Sequence, residues 1–460
     1  MDPDRRMSLA HALDRLAHAT ERIAQALRRL LSLQRGELAP VLLSGACFFC
    51  VLTALMLLRP ARDALGMQRG IEAVRWLFVG TALVTLLANP VFGWLVSRFR
   101  RLRFIAITYV FFALSLTGFF LLLVLAPAAI GQTSGQVFYV WFSVFNLFAT
   151  MLFWALMADR FTLEQSKRFF ALISVGGTLG AMFGPWLASL LARPLGTPAL
   201  LLVSAGFLLV ALLLASRIAR GQDAATAGTS GSAAAENRAI IGGSAWQGIG
   251  AVFRSRYLSG IAVYVILMSI MATLIYFTRL QMVAALGDDM DLRTTVFARI
   301  DLITQATTLL LQALFAGRLM RRFGVPVTLT LLPVTAALGF AGLAIVGSLA
   351  MLILFQAAFS AVQRALARPA RETLYTVVGR ADKYKAKAFI DTFAYRGGDV
   401  AGAQIEGLAA RLGTGLAGLA GVAIPLALVW AALGLWLGRR QQRIAPETTA
   451  NFTSKDRIPT

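Results

Sequence analysis

Residues 257–279 read Tyr257-LSGIAVYVILMSIMATLIYFT-Arg279, with no charged side chain before the arginine. About 20 apolar residues in a helix cross the hydrocarbon core of a bilayer, and a run this long cannot be a strand. Comparable runs recur along the chain, near 39–58, 74–96, 103–126, 136–158, 169–191, 198–219, 295–317, 327–347, 349–367, 388–410 and 414–437. Twelve such runs predict an all-α membrane protein with twelve transmembrane helices. Composition agrees: of 460 residues, 58% are hydrophobic and only 14% charged, too few charges for a soluble protein of this size.

The formal charge of +22 raises the question of a nucleic-acid partner. Its distribution answers it. With the N-terminus inside, the cytoplasmic segments hold 34 of the 44 basic residues, the outer loops 8, and two lie within helices. That is the positive-inside pattern, and an even helix count returns the C-terminus to the same side. The expectation is a multi-pass protein of a bacterial inner membrane, both termini cytoplasmic, without nucleic acid. No cleavable signal is visible. Cys47 and Cys50 form a CxxC inside the first helix, where they read as small buried hydrophobes. No phosphate-cradling Gly-rich loop, catalytic constellation or metal-ligand set is present. No enzymatic activity and no cofactor are therefore expected.

Residues 1–37 are predicted as a cytoplasmic amphipathic helix, with Leu9, Leu13, Leu16, Thr20, Ile23, Leu27 and Leu30 on one face. That spacing fits a heptad seam or an interfacial helix on anionic lipid, and Thr20 inside the seam favours the interface. A six-helix half follows over 38–220. Residues 221–250, rich in Gly, Ala and Ser, read as a cytoplasmic linker. A second half covers 251–440, and a polar tail at 441–460 is expected to be disordered.

The halves echo each other at offsets of about 220–224 residues. Arg59 matches Arg279, Arg75 matches Arg299, Gly93 matches Gly317, and Gly176-Gly177 matches Gly397-Gly398. A near-constant offset marks an internal six-plus-six repeat, an architecture that binds cargo near the midplane between halves.

These motifs resemble the major facilitator superfamily. Gly93-Trp-Leu95 with Arg98, and Gly317-Arg-Leu319 with Arg322, are similar to its Gly-x-Leu-x-Asp-Arg-x-Gly-Arg loop, with Ser97 and Arg321 in place of the acid. Gly180-xxx-Gly184-Pro185 resembles the fifth-helix motif of its antiporters. A narrower resemblance is to the ATP/ADP translocase (nucleotide transporter) branch and its bacterial relatives. It rests on Leu58-Arg59-Pro-Ala-Arg62-Asp63-Ala-Leu65, on Phe153-Trp154 through Asp159 to Lys167-Arg168-Phe169-Phe170, on Arg371-Glu372-Thr-Leu-Tyr375 and on Lys385-Ala-Lys387-Ala-Phe-Ile390-Asp391. The resemblance implies alternating-access transport of an anionic metabolite, a nucleotide or another phosphorylated compound. The exchangers carry Gly-Lys where this chain has Gly398-Asp399, which inverts a phosphate-binding charge and puts strict ATP/ADP exchange in question.

Ionisable residues inside a bilayer are costly and mark sites. Counted from Lys387 at ~1.5 Å per residue, Asp391 lies ~6 Å deep, Arg396 ~14 Å and Asp399 ~18 Å, against a midplane ~15 Å deep. Arg59, Arg62, Arg279, Arg299, Arg396 and Asp399 are the candidate substrate ligands, since guanidinium forks hold phosphate or carboxylate bidentately. Asp63, Asp301, Glu372, Lys387 and Asp391 are the coupling or gating candidates. The competing reading is packing pairs, Arg59 with Asp63 at i,i+4 and Arg396 with Asp399 at i,i+3. Arg371, Glu372, Lys385 and Lys387 are expected on a cytoplasmic loop. Asn146 and Gln356 read as helix–helix hydrogen bonds. The expected protein is a monomeric secondary transporter of a small anion, driven by exchange or proton coupling. The alternatives are a proton-coupled exporter of amphipathic compounds and a non-transporting scaffold or receptor.

Overall fold

The structure, a computed structural model, describes residues 37–98, 101–226, 250, 252–379, 386–387 and 389–455. The predicted N-terminal helix, both histidines, Lys385 and most of the 221–250 linker lie outside these residues. Among the described residues there is no strand. The helices are α1 (Leu38–Gly66), α2 (Ile71–Arg98), α3 (Arg101–Leu125), α4 (Ala128–Arg160), α5 (Leu163–Leu195), α6 (Ala199–Thr226) and α7 (Arg256–Ala284). The next run, Met290–Val346, turns at Gly324, whose φ of 71° suits glycine, and splits there into α8 (290–323) and α9 (325–346). Then come α10 (349–373), α11 (389–411) and α12 (Gly415–Lys455).

Twelve helices are thus present among the described residues. Ten segments are long and apolar enough to cross a membrane by length and composition. The two that fall short, 290–323 and 389–411, carry Arg299 and Asp301, and Arg396 and Asp399. The protein is a multi-pass membrane protein, and Leu87, Leu114, Leu125, Leu213, Leu338 and Leu354, each more than 60% exposed, face outward as lipid contact requires.

Two corrections concern helix ends. Arg371 and Glu372 are helical, because α10 continues through Thr373 instead of ending in a loop at 367. The tail from Gln441 is helical through Lys455, as an extension of α12. Polar side chains at these ends hide the helix from a reading based on apolar runs.

One core is built from α1, α3, α4, α5 and α6, with Phe48, Phe112, Phe145, Phe153 and both free cysteines inside it. A second is built from α7, α9, α10, α11 and α12 around Tyr264, Phe355 and Trp430. Glycines set the central helix pairs. A Cβ on Gly180 of α5 would strike the Phe49 backbone of α1, and one on Gly184 would come within 2.8 Å of the Leu57 nitrogen. The antiporter-like motif therefore works as a close-packing seam. The repeat reproduces it: a Cβ on Gly398 of α11 would lie 2.7 Å from the Ile266 carbonyl of α7, and one on Gly402 would meet Thr273 at 2.9 Å.

Loops α1–α2, α3–α4, α5–α6, α7–α8, α9–α10 and α11–α12 share one face, the odd-loop face. The remaining loops form the even-loop face.

Candidate functional site

The last two turns of α1 carry Arg59, Arg62 and Asp63 together. Asp63 is fully buried and accepts from Arg62 Nε (2.9 Å), from the Tyr276 hydroxyl of α7 (2.9 Å) and from Arg279 Nη2 of α7 (3.3 Å). Arg279 is itself 1% exposed and donates through Nη1 to Asp301 of α8 at 2.7 Å. Arg59 Nε approaches the other oxygen of Asp301 at 3.8 Å, too far for a hydrogen bond. The repeat-matched arginines Arg59 and Arg279 therefore converge on one carboxylate, and the expected i,i+4 pairing of Arg59 with Asp63 is replaced by this contact. Aromatic rings complete the setting: Arg62 sits 4.7 Å from the Tyr139 ring centroid, and Arg279 sits 4.7 Å from that of Phe297. Three cations against two carboxylates leave one positive charge over. A buried network holds such a charge only if something anionic or water meets it.

Toward the odd-loop face, further contacts join the halves. Arg75 of α2 holds Glu406 of α11 through two donors, at 2.7 and 3.4 Å, and Gln281 of α7 adds a third at 2.5 Å. Glu406 is 1% exposed. Outside it, Arg411 approaches Glu72 at 3.5 Å. The Thr197 backbone N–H, in the α5–α6 loop, donates to Asp291 of α8 at 2.7 Å. These contacts stitch the odd-loop face shut.

Below them lies a cavity of about 900 Å³, lined by α1, α2, α4, α7, α10 and α11. It reaches from Arg59, Tyr276 and Arg279 to Glu372 and Lys387 at the even-loop end. Among the described residues, seven cationic side chains line it against two acidic ones, Glu372 and Asp391. A low-dielectric cleft of one sign concentrates ions of the other. All of these cations except Arg59 come from the second half. Two π-helical turns, Gln363–Ala367 in α10 and Ile390–Ala394 in α11, flank the cavity. Such turns re-aim the side chains that follow and are frequent at functional sites.

Within the cavity the cations differ in how they are met. Arg371 approaches Asp391 at 3.6 Å, and Lys387 donates to Glu372 at 2.5 Å. Arg364 donates only to the neutral Gln305 of α8, and Arg368 is exposed with no ion-pair partner among the described residues. Gln356 also lines the cavity, and its buried Oε1 has no hydrogen-bond partner.

Of the residues read from sequence, the structure places Arg59, Arg279, Arg396, Glu372, Lys387 and Asp391 on the cavity wall. Asp63, Arg62 and Asp301 stand behind it. Asp399 meets Arg396 at 3.3 Å, as i,i+3 spacing anticipates, but turns toward α7, where it accepts from Ser269 at 2.5 Å and Thr273 at 3.4 Å. Arg299 is exposed on α8 and outside the lining. Arg364 and Arg368 were missed, and Gln356 was read as a packing group. The missed signal is legible: Arg364, Arg368 and Arg371 fall at i, i+4 and i+7, one helix face. Glu406 was missed because its partner is 331 positions away.

A family model described as Major Facilitator Superfamily matches residues 41–368. Among solved structures, the nucleoside transporter NupG is similar with a TM-score of 0.61 at 13% identity, covering 88% of this chain and 99% of that one. A POT family transporter in complex with a thioalcohol-conjugated peptide reaches 0.59 at 12% identity, covering 88% and 96%. A bacterial homolog of the human lysosomal transporter Spinster, in an inward-facing and unoccupied conformation, reaches 0.58 at 12%, covering 89% and 99%. At these identities the likeness concerns the fold. No curated protein matches the sequence.

Proposed function

The chain belongs to the major facilitator superfamily, and from that premise we propose that it is a secondary transporter binding a small anionic metabolite in the cationic cavity and moving it by alternating access. The observation that carries this is the pair Arg364 and Arg368, cavity arginines that form no ion pair with a carboxylate among the described residues. A cation left unpaired in a membrane interior is costly, and an anionic cargo removes that cost. Phosphorylated compounds fit best, because guanidinium forks match phosphate oxygens. Nucleotides are the finer reading, supported by the translocase-like sequence run from Lys385 to Asp391.

With the even-loop face assigned to the cytoplasm by the positive-inside pattern, this conformer is inward-open in a bacterial inner membrane. Outward opening requires the Arg75–Glu406 and Asp63–Arg279 links to part. Asp391 and Glu372 are the acids in contact with the cavity, and either can carry a coupled proton; exchange is the other drive. The cavity is complete within one chain, which supports a monomer.

The test is transport by purified protein in proteoliposomes. Internal ADP accelerates uptake of labelled ATP if nucleotides exchange. A thermal-shift panel of nucleotides, sugar phosphates, carboxylates and neutral nucleosides then ranks the class, since ligands of the folded state raise its apparent stability. Stabilisation by neutral nucleosides with none by any anion would sink the anionic reading.

A further inference from the structure

Helices α2 and α3 follow one another in sequence yet scarcely touch. Both lean on α4, and a crevice of about 860 Å³ opens between them, floored by Val137, Trp141 and Phe148 of α4. Its walls are almost wholly apolar, and Ile107, Phe111 and Val137 are each more than half exposed. The repeat alone does not demand it. The pocket between α8 and α10 in the second half holds only about 360 Å³, and there α9 packs Phe340 against Phe355 at 5.1 Å.

From Thr133 to Phe148 the crevice follows α4 for about 22 Å at ~1.5 Å per residue. One leaflet contributes only about 15 Å of hydrocarbon, so an extended acyl chain lies along it in full. Polar groups gather at the odd-loop end. There the exposed Arg69 donates to the Thr133 hydroxyl (2.6 Å), to the Ala129 carbonyl (3.3 Å) and to Gln136 Oε1 (3.5 Å). All of these partners are neutral. The first turn of α4 holds no acid and has no side-chain cap, so its partial positive charge adds to that of Arg69.

The geometry points to a site for an anionic phospholipid, with one acyl chain in the α2–α3–α4 crevice and the headgroup phosphate on Arg69. The cation at the mouth, set beside an apolar crevice longer than one leaflet, matches the charge and length of an anionic phospholipid. Arg69 takes no part in the transport cavity, so the site stands independently of the cargo.

Trp141 lines the crevice and reports on it. Full-length protein in detergent is titrated with phosphatidylglycerol or phosphatidylcholine carrying brominated acyl chains, and a Trp141→Phe variant isolates that residue's quenching. Phosphatidylglycerol should quench Trp141 at about fivefold lower mole fraction, the factor one surface cation supplies toward anionic lipid. Arg69→Gln should bring the two curves together without changing the melting temperature. Equal curves in the wild type, or a preference that survives in Arg69→Gln, overturn the site. Absence of quenching by either lipid, with a cross-linked dimer through Val137→Cys, gives the crevice to a second copy and overturns it too.

Discussion

Replacing Glu406 with Gln tests whether the odd-loop face is held shut by charge. Glu406 is buried and takes three donated hydrogen bonds, two from Arg75 and one from Gln281. The amide keeps the shape of the carboxylate but leaves Arg75 without its counter-charge. Removing one partner of a buried pair costs roughly 3–5 kcal/mol. The Arg75 side chain is 13% exposed, so solvent screening lowers this to about 2–3 kcal/mol. That cost falls on the closed face alone, because opening separates α2 from α11 and hydrates both groups. The closed-to-open ratio should therefore drop roughly thirty- to a hundred-and-fiftyfold. The readout is a spin-label distance between Ala129→Cys on α4 and Leu286→Cys in the α7–α8 loop, both exposed at the odd-loop face and in opposite halves. Cys47 and Cys50, the free thiols in the first core, are changed to Ala first. The distance distribution should gain a longer component that the parent lacks, enlarged further by Gln281→Leu. An unchanged distribution would refute the reasoning and reduce the Arg75–Glu406 pair to packing.

Arg279→Met should leave Asp63 ion-paired with Arg62 alone and Asp301 with only the distant Arg59, and lower stability by about 3–5 kcal/mol; a melting curve checks this, and adding Asp301→Asn should recover part of the loss. Gln356→Leu removes a buried oxygen that has no partner, so it should raise stability by about 1–3 kcal/mol while weakening cargo uptake. Uptake unchanged in that variant would take Gln356 out of the site.

How much of this was readable beforehand depends on the range of each interaction. Hydropathy located the twelve helices of the described residues, because a membrane demands a fixed length of apolar chain. It misplaced their ends wherever polar residues continue a helix, as at Arg371 and beyond Gln441. Local spacing foretold Arg396 with Asp399, since i,i+3 neighbours meet on any helix. It mispaired Arg59, whose actual contact is Asp301, 242 positions on. The repeat did bring Arg59 and Arg279 forward as equivalents, and they converge on that one carboxylate. It also brought forward Arg299, which is exposed, because a matched position in two halves need not face the same surroundings once one half supplies nearly all of the cavity's cations. Arg364 and Arg368 share a legible helix face with Arg371, but only the π-helical turn at Gln363–Ala367 shows how that face meets the cavity.

The decisive measurement is uptake and binding of the best-ranked anion by Arg364→Gln beside the wild type, in proteoliposomes and by thermal shift. Among the described residues Arg364 donates only to Gln305, so the variant should fold with an unchanged ligand-free melting temperature. It should bind the anion at least tenfold more weakly, the roughly 1.5–3 kcal/mol of a charge-assisted hydrogen bond, and transport should fall with it. Wild-type affinity and uptake in Arg364→Gln would contradict an anion held by the α10 arginines.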